Sequence, residues 1–318
     1  MDRTTKRTEG LTLSTIANRQ SIQHRRVTQL RGFPSNDRVI GLLAGSGRFP
    51  ILFAESARRQ GYEIACVGIR YEASEELRSL CRSFELVGVS RLGGMIRAFK
   101  RRGVREIVMA GKVTKSVMYT PFRCLRLMPD MRMARFWLHT LRGDHRDDSI
   151  LLSLIAEFEQ DRMTFASALD YAPELLVKDG ILTRRAPTSG ERKDIAFGWA
   201  LAKEMGRLDI GQSVAIKEQS ALAVEAIEGT DRCIERAGQL CRSGGWTLVK
   251  VAKPEQDMRF DVPTIGLSTI ESLYKAKAKV LAIEAGRTIV IDQDKVIELA
   301  NEYGLSIVAL SQSDAFIS

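Results

Sequence analysis

Five groups of residues have types and spacing that could do chemistry. The first is Gly41-Leu-Leu-Ala-Gly45-Ser46-Gly47-Arg48-Phe49-Pro50, an apolar run ending in glycines. Glycines let a backbone approach a ligand closely, and a following helix offers free N–H groups to an anion. Gly45, Ser46 and Gly47 are therefore candidates for holding a phosphate. Pro50 stands where a third glycine of a dinucleotide fingerprint would fall, and Arg70 rather than an acid ends the next apolar run, which disfavours a nicotinamide enzyme. The second group is Ala110-Gly111-Lys112-Val113, which puts a cation and a glycine at another strand end. The third is Arg142-Gly-Asp144-His145-Arg146-Asp147-Asp148, whose carboxylates suit either Mg²⁺ or a helix N-terminus. The fourth is Glu225-Ala-Ile-Glu228-Gly229-Thr230-Asp231. Helix capping accounts for Thr230 and Asp231 but not for three acids within seven residues. The fifth is Arg259-Phe260-Asp261-Val262-Pro263-Thr264-Ile265-Gly266. Asp261 lies among aromatic and apolar neighbours there, so it needs a partner, a metal or a raised pKa unless it bonds its own turn.

The elements that must position these groups fall into two grammars. From Val39 to Ala110, apolar runs alternate with helical patterns: strands at 39–44, 63–69, 84–89 and 106–110, helices at 48–60, 75–81 and 92–102. That alternation implies crossover units and a largely parallel sheet. Ligands in such sheets gather beyond the carboxyl ends of the strands, so Gly45 and Lys112 are expected to share one crevice. Residues 113–146 break the rhythm with a Met-rich, aromatic and basic stretch, and a helix follows at 149–159. Beyond it the patterns give strands at 213–216 and 222–226, a helix at 232–241 capped by Thr230 or Asp231, a strand at 246–252 and a helix at 269–278. They also give a 280–284/288–291 strand pair, a helix capped by Asp292, and a strand at 305–310. The expected fold is α/β: an N-terminal Rossmann-like open parallel sheet plus a second mixed α/β domain. The expected division is 1–37, an N-terminal extension that is disordered or a targeting segment; 38–140, the Rossmann-like domain; and 141–318, the mixed α/β domain.

Composition narrows the classes. The chain has 318 residues, 44% hydrophobic and 27% charged, which is ordinary globular usage with room for two domains. No apolar run has membrane-spanning length and no apolar stretch opens the chain, so a cytoplasmic protein is expected. The five cysteines form no CxxC pair and only three histidines exist, which argues against a zinc site. Net charge is +9, yet about five of those charges lie in residues 1–38, so nucleic-acid binding is not expected of the body.

Taken in order, these pieces resemble a known family. G-L-L-A-G-S-G-R-F-P, A-G-K-V, R-G-D…D-D-S-I-L, D-I-G-Q-S-V-A-I-K-E, A-V-E-A-I-E-G-T-D, A-K-P…Q-D-M-R-F-D-V-P-T-I-G and E-A-G-R-T-I-V-I-D together are similar to the alternative (LpxI-type) UDP-2,3-diacylglucosamine pyrophosphatases of lipid A biosynthesis. The resemblance runs from about residue 38 to 311 and leaves out the N-terminal extension. Two departures stand out: the R-G-D step is separated from its second acids by His145 and Arg146, and Gln219 stands where glycine is common. The resemblance implies Mg²⁺-dependent hydrolysis to UMP and 2,3-diacylglucosamine 1-phosphate, with the essential aspartate at Asp261. It implies a UDP group held by Gly45, Ser46, Gly47, Gly111, Lys112, Gly229, Thr230 and Thr264, and a metal site of Asp261, Glu225, Glu228 and Asp231. The expected partners are UDP-2,3-diacylglucosamine, an anionic inner-membrane face touched peripherally through residues 118–137, and a second copy in a homodimer. The competing classes are a non-catalytic sugar-nucleotide binder of the same fold and a basic RNA-binding protein.

Overall fold

The first parallel strand begins at Val39, in a computed structural model that describes residues 38–113, 128–140, 147–254, 256–259 and 261–311. Five strands form the first sheet: β1 (Val39–Ala44), β2 (Glu63–Ile69), β3 (Ser83–Val87), β4 (Glu106–Ala110) and β5 (Thr164–Ala166). Their order is β3-β2-β1-β4-β5 and every pairing is parallel. β1 lies at the centre and is buried along its whole length, which is why Val-Ile-Gly-Leu-Leu-Ala reads as one apolar run rather than an alternation. Helices α1 (Phe49–Arg59) and α2 (Leu77–Leu80) cover one face, around Phe53, Leu42 and Ile64. Helices α3 (Leu92–Lys100), α4 (Met131–Thr140) and α5 (Asp147–Glu159) flank the other, around Phe99, Phe136 and Phe158.

The sequence reading ended this sheet at β4 and drew a boundary near residue 140. β5 instead pairs with β4 beyond that point, so the first sheet runs past residue 140. Three residues are too few to show a strand period. The Arg142–Arg146 step and residues 118–127 of the 118–137 stretch lie outside the described residues.

The second sheet has six strands, ordered β6-β13-β11-β9-β7-β8: β6 (Gly180–Ile181), β7 (Ser213–Lys217), β8 (Ser220–Val224), β9 (Trp246–Lys250), β11 (Ala278–Glu284) and β13 (Ser306–Leu310). β9, β11 and β13 are parallel, while β6, β7 and β8 are joined by antiparallel pairings. α6 (Ser189–Arg207) packs Ile195, Trp199 and Ala202 on one face of it. α7 (Thr230–Leu240), α8 (Leu267–Lys275) and α9 (Gln293–Glu302) cover the other.

Several expectations change here. The sequence reading had no helix at 189–207, although Thr188 and Glu191 form a reciprocal capping box that starts it. β12 (Ile289–Val290) does not pair with β11: it lies parallel to β10 (Thr264–Ile265), so the expected 280–291 hairpin is absent. The helix after the acid-rich turn starts at Thr230, with Gly229 rather than Thr230 or Asp231 as its N-cap. Asp292 precedes α9 in a left-handed conformation and makes no side-chain cap bond. The β7–β8 turn needs positive φ at Glu218 and Gln219, which two-residue hairpins favour but non-glycine residues resist. The Asp194 carboxylate steadies it by accepting from both N–H groups, at 3.1 and 2.7 Å.

Candidate functional site

The strand order of the first sheet reverses between β1 and β4, and the loops that leave those two strands carry the first two sequence groups. Such a reversal opens a crevice at the carboxyl ends of an open α/β sheet. Gly45 N–H donates to Ala110 O at 2.9 Å, Ser46 N–H to Lys112 O at 2.7 Å, and Lys112 N–H to Ser46 O at 3.0 Å. The Ser46 hydroxyl also donates to Lys112 O, at 2.8 Å. The two loops are thus one zipped unit. Their glycines are required by contact: a Cβ on Gly45 would stand 2.4 Å from Lys112 O, and one on Gly111, at φ +91°, 2.6 Å from Ser46 O. Gly47 takes φ +98° with open space where a side chain would stand. Arg48 follows, and its guanidinium reaches Glu76 at 3.4 Å and Asp292 at 3.7 Å, tying this loop to the turn before α9.

The second sheet presents its own carboxyl ends. β9 ends at Lys250, and Glu225 follows β8, which runs in the same direction. Both side chains belong to buried residues. The Lys250 ammonium donates to Thr230 Oγ1 at 3.2 Å and to Thr264 O at 3.3 Å. Thr230 Oγ1 donates in turn to Glu225 Oε1 at 3.0 Å, while Glu225 Oε2 is buried with no hydrogen-bond partner. Burial pushes the Lys250 pKa down; Glu225, Asp231 and Asp261 oppose that shift and Lys112 adds to it. Lys112 comes from the first sheet and Asp261 from the loop after β9, so charges from both halves meet around Lys250. A second link is local: Ser167, just after β5, donates to Met258 O at 2.7 Å. That bond fixes the Asp261 loop to the carboxyl edge of the first sheet.

The expected site residues are distributed as follows. Gly45, Ser46, Gly47, Gly111 and Lys112 form the zipped loops on the first sheet. Thr230 and Thr264 both meet Lys250, Thr264 through its carbonyl, since its hydroxyl donates to Val262 O. Gly229 takes φ +81° at the start of α7. Asp261 is half-buried, and its Oδ2 accepts from Gln256 Nε2 at 2.6 Å. The four acids expected to bind metal do not form a cage: Glu228 pairs with Arg236 at 2.5 Å, and Glu225 turns to Thr230. Among the described residues no three His, Cys, Asp or Glu side chains converge at metal-binding distance. Magnesium commonly takes only one or two carboxylates plus substrate phosphate. Asp261 and the exposed Asp231 could meet such an ion, as could Glu225 through its unpartnered Oε2.

Lys250 was not among the sequence candidates. Its signal was present: a lysine inside Trp-Thr-Leu-Val-Lys-Val-Ala, where every other residue of a buried strand is apolar or threonine. A buried lysine is costly without partners.

Two family models match the chain end to end across the described fold: the LpxI N-terminal domain over residues 39–175 and the LpxI C-terminal domain over residues 178–308. A relative from Caulobacter vibrioides, the UDP-2,3-diacylglucosamine pyrophosphatase LpxI, is 31% identical over 288 residues, covering 87% of this chain and 99% of its own. The chain belongs to the LpxI family. The junction between the two matched domains falls at Leu176–Val177, where Val177 N–H donates to Thr288 O at 2.9 Å and the chain passes from the first sheet to the second. Both sheets belong to one compact body from Val39 onward.

Proposed function

We propose that this protein hydrolyses the pyrophosphate of UDP-2,3-diacylglucosamine, releasing UMP and 2,3-diacylglucosamine 1-phosphate in lipid A biosynthesis. The observation that carries the reading is the full-length match to a relative named for that activity. The site is chemically suited to it. The zipped Gly45 and Gly111 loops use their own N–H groups to hold each other and set the Lys112 ammonium beside the N-terminal end of α1, and these two would meet the UDP phosphates. Asp261 is the general base that takes a proton from the attacking water. A bond forms from water oxygen to one phosphorus as the bridging P–O bond breaks, and the charge leaves with the departing phosphate. Magnesium belongs to the same proposal: held by Asp261, Asp231 and substrate oxygens, it would neutralise charge on the pyrophosphate.

Peripheral contact with an anionic membrane is part of the proposal, because the substrate is a lipid. α4 buries Met133 and Phe136 in the core yet leaves Met131, Trp137 and Leu138 exposed, beside the exposed Arg135. Aromatic and basic side chains together favour a headgroup layer. Among the described residues no helix is long and apolar enough to cross a membrane.

The test is incubation of purified protein with UDP-2,3-diacylglucosamine and Mg²⁺, with and without a chelator, followed by mass analysis. UMP and the sugar 1-phosphate should appear only with the metal. Binding of the nucleotide sugar with no turnover would favour a non-catalytic binder of the same fold.

A further inference from the structure

The Lys250 ammonium sits where a lysine is expensive. Its strand neighbours Leu248, Val249 and Val251 are wholly buried, and an apolar side chain would pack there without desolvating a charge. Its partners are few: one hydroxyl and one carbonyl oxygen, at 3.2 and 3.3 Å. An ammonium has three protons, so these two bonds leave a donor over. Glu225 Oε2 beside it is likewise a buried acceptor without a partner. A cluster built only for stability would have paired these groups.

The two bonds that Lys250 makes are informative about place. Thr264 ends the Asp261-Val-Pro-Thr turn, and Thr230 starts α7 next to Asp231. One ammonium therefore pins the segment that carries Asp261 to the segment that carries Asp231. The charged groups that bear on it come from four elements: Glu225 after β8, Asp231 on α7, Asp261 in the loop after β9, and Lys112 in the loop after β4. Of these, Lys112 alone works against the charge on Lys250.

We propose that Lys250 is a positioning residue of the hydrolysis site, its ammonium fixing the segments that carry Asp261 and Asp231 relative to each other through Thr264 O and Thr230 Oγ1. This inference rests on the activity proposed above. It predicts a role that needs charge at residue 250, acting on turnover more than on substrate capture, since capture lies with the first-sheet loops.

The experiment compares wild type, K250M and K250R on UDP-2,3-diacylglucosamine with Mg²⁺, with thermal melting to confirm folding. In K250M, kcat should fall about 100-fold, the scale of a misplaced reacting group, with KM unchanged. K250R should retain clearly more activity than K250M. If K250M does not fold, K250Q replaces it in the same comparison. A folded K250M with wild-type kcat overturns the inference, and so does equal impairment of K250M and K250R, which would make residue 250 a matter of packing. Absence of turnover in wild type would remove the activity and this inference together, whereas wild-type turnover with an unaffected variant removes only the inference.

Discussion

Ser46 and Lys112 bond to each other through both backbone groups and once more through the serine hydroxyl, although 66 residues separate them. The pairing locks the two loops at the switch point of the first sheet. It also leaves no room for a Cβ at Gly45 or Gly111. Gly45→Ala and Gly111→Ala should each destabilise the protein by about 1–3 kcal/mol, the range for overpacking or a strained backbone. Urea unfolding measures this, and UDP affinity should fall in the same variants. Alanine at both positions with unchanged stability and affinity would show that the loops can separate freely.

Asp261→Asn keeps the shape of the side chain and its bond with Gln256, which lies 2.6 Å from Oδ2. It removes the base. Turnover should fall by about 10²–10⁴-fold, the usual contribution of a general base, with the melting temperature held. Single-turnover assays on UDP-2,3-diacylglucosamine read the rate directly. Near-normal hydrolysis would reassign the residue.

Lys203, partly buried, and the buried Glu284 form an ion pair at the same end of the second sheet, with Nζ at 2.8 and 2.7 Å from the two carboxylate oxygens. Glu284 also accepts from Ala252 N–H at 2.8 Å, and Lys203 donates to Ala252 O at 3.0 Å. This arrangement is fully satisfied and holds the start of the Lys253–Pro263 loop. Lys203→Met should cost about 1.5–3 kcal/mol, the worth of hydrogen bonds to a charged group, because Arg287 at 3.9 Å and Ala252 N–H remain with the Glu284 carboxylate. A loss well under that range in urea unfolding would mean that water reaches the pair.

Lys250 gives a pH signature with a defined sign. Burial, the largest cause, lowers its folded pKa below the ordinary lysine value. Between the two values the unfolded chain binds more protons than the folded one, so this residue's contribution to stability rises with pH. Below that window the buried charge is a constant penalty. The stability gap between wild type and K250M should therefore shift in favour of wild type as pH rises toward about 10.4, the ordinary lysine value. Urea midpoints at several pH values test this, and a gap independent of pH would contradict it.

The outer surface of α4 predicts vesicle binding that depends on charge and on an apolar anchor. Trp137 and Leu138 are 45% and 65% exposed. Wild type should float with vesicles containing anionic lipid at low salt and bind less at high salt, as charge attraction is screened. W137S/L138S should float less at both. No flotation of wild type under either condition would remove membrane contact from the proposal.

The sequence by itself determined the alternation that makes the first sheet parallel, because strands buried on both faces must be apolar runs and crossover helices must show a helical period. It also determined the glycine loop and its partner lysine, since only glycine tolerates such close backbone approach. The Asp261 motif was legible as a pattern resembling a family, and family membership followed from length and order rather than from any one residue. The tertiary structure alone decided which charges meet. Glu228 looked like Glu225 in sequence, yet one faces Arg236 at the surface and the other a buried threonine beside Lys250. β5 and β12 were too short to declare their partners, and pairing between short strands is fixed by the packing around them. Lys250 was one polar letter in an apolar run until the fold placed Thr230, Thr264 and the charge of Lys112 around it. Local pattern fixes which backbone segments form. Electrostatic partnership depends on distances between segments far apart in the chain, and those distances exist only once both sheets have formed.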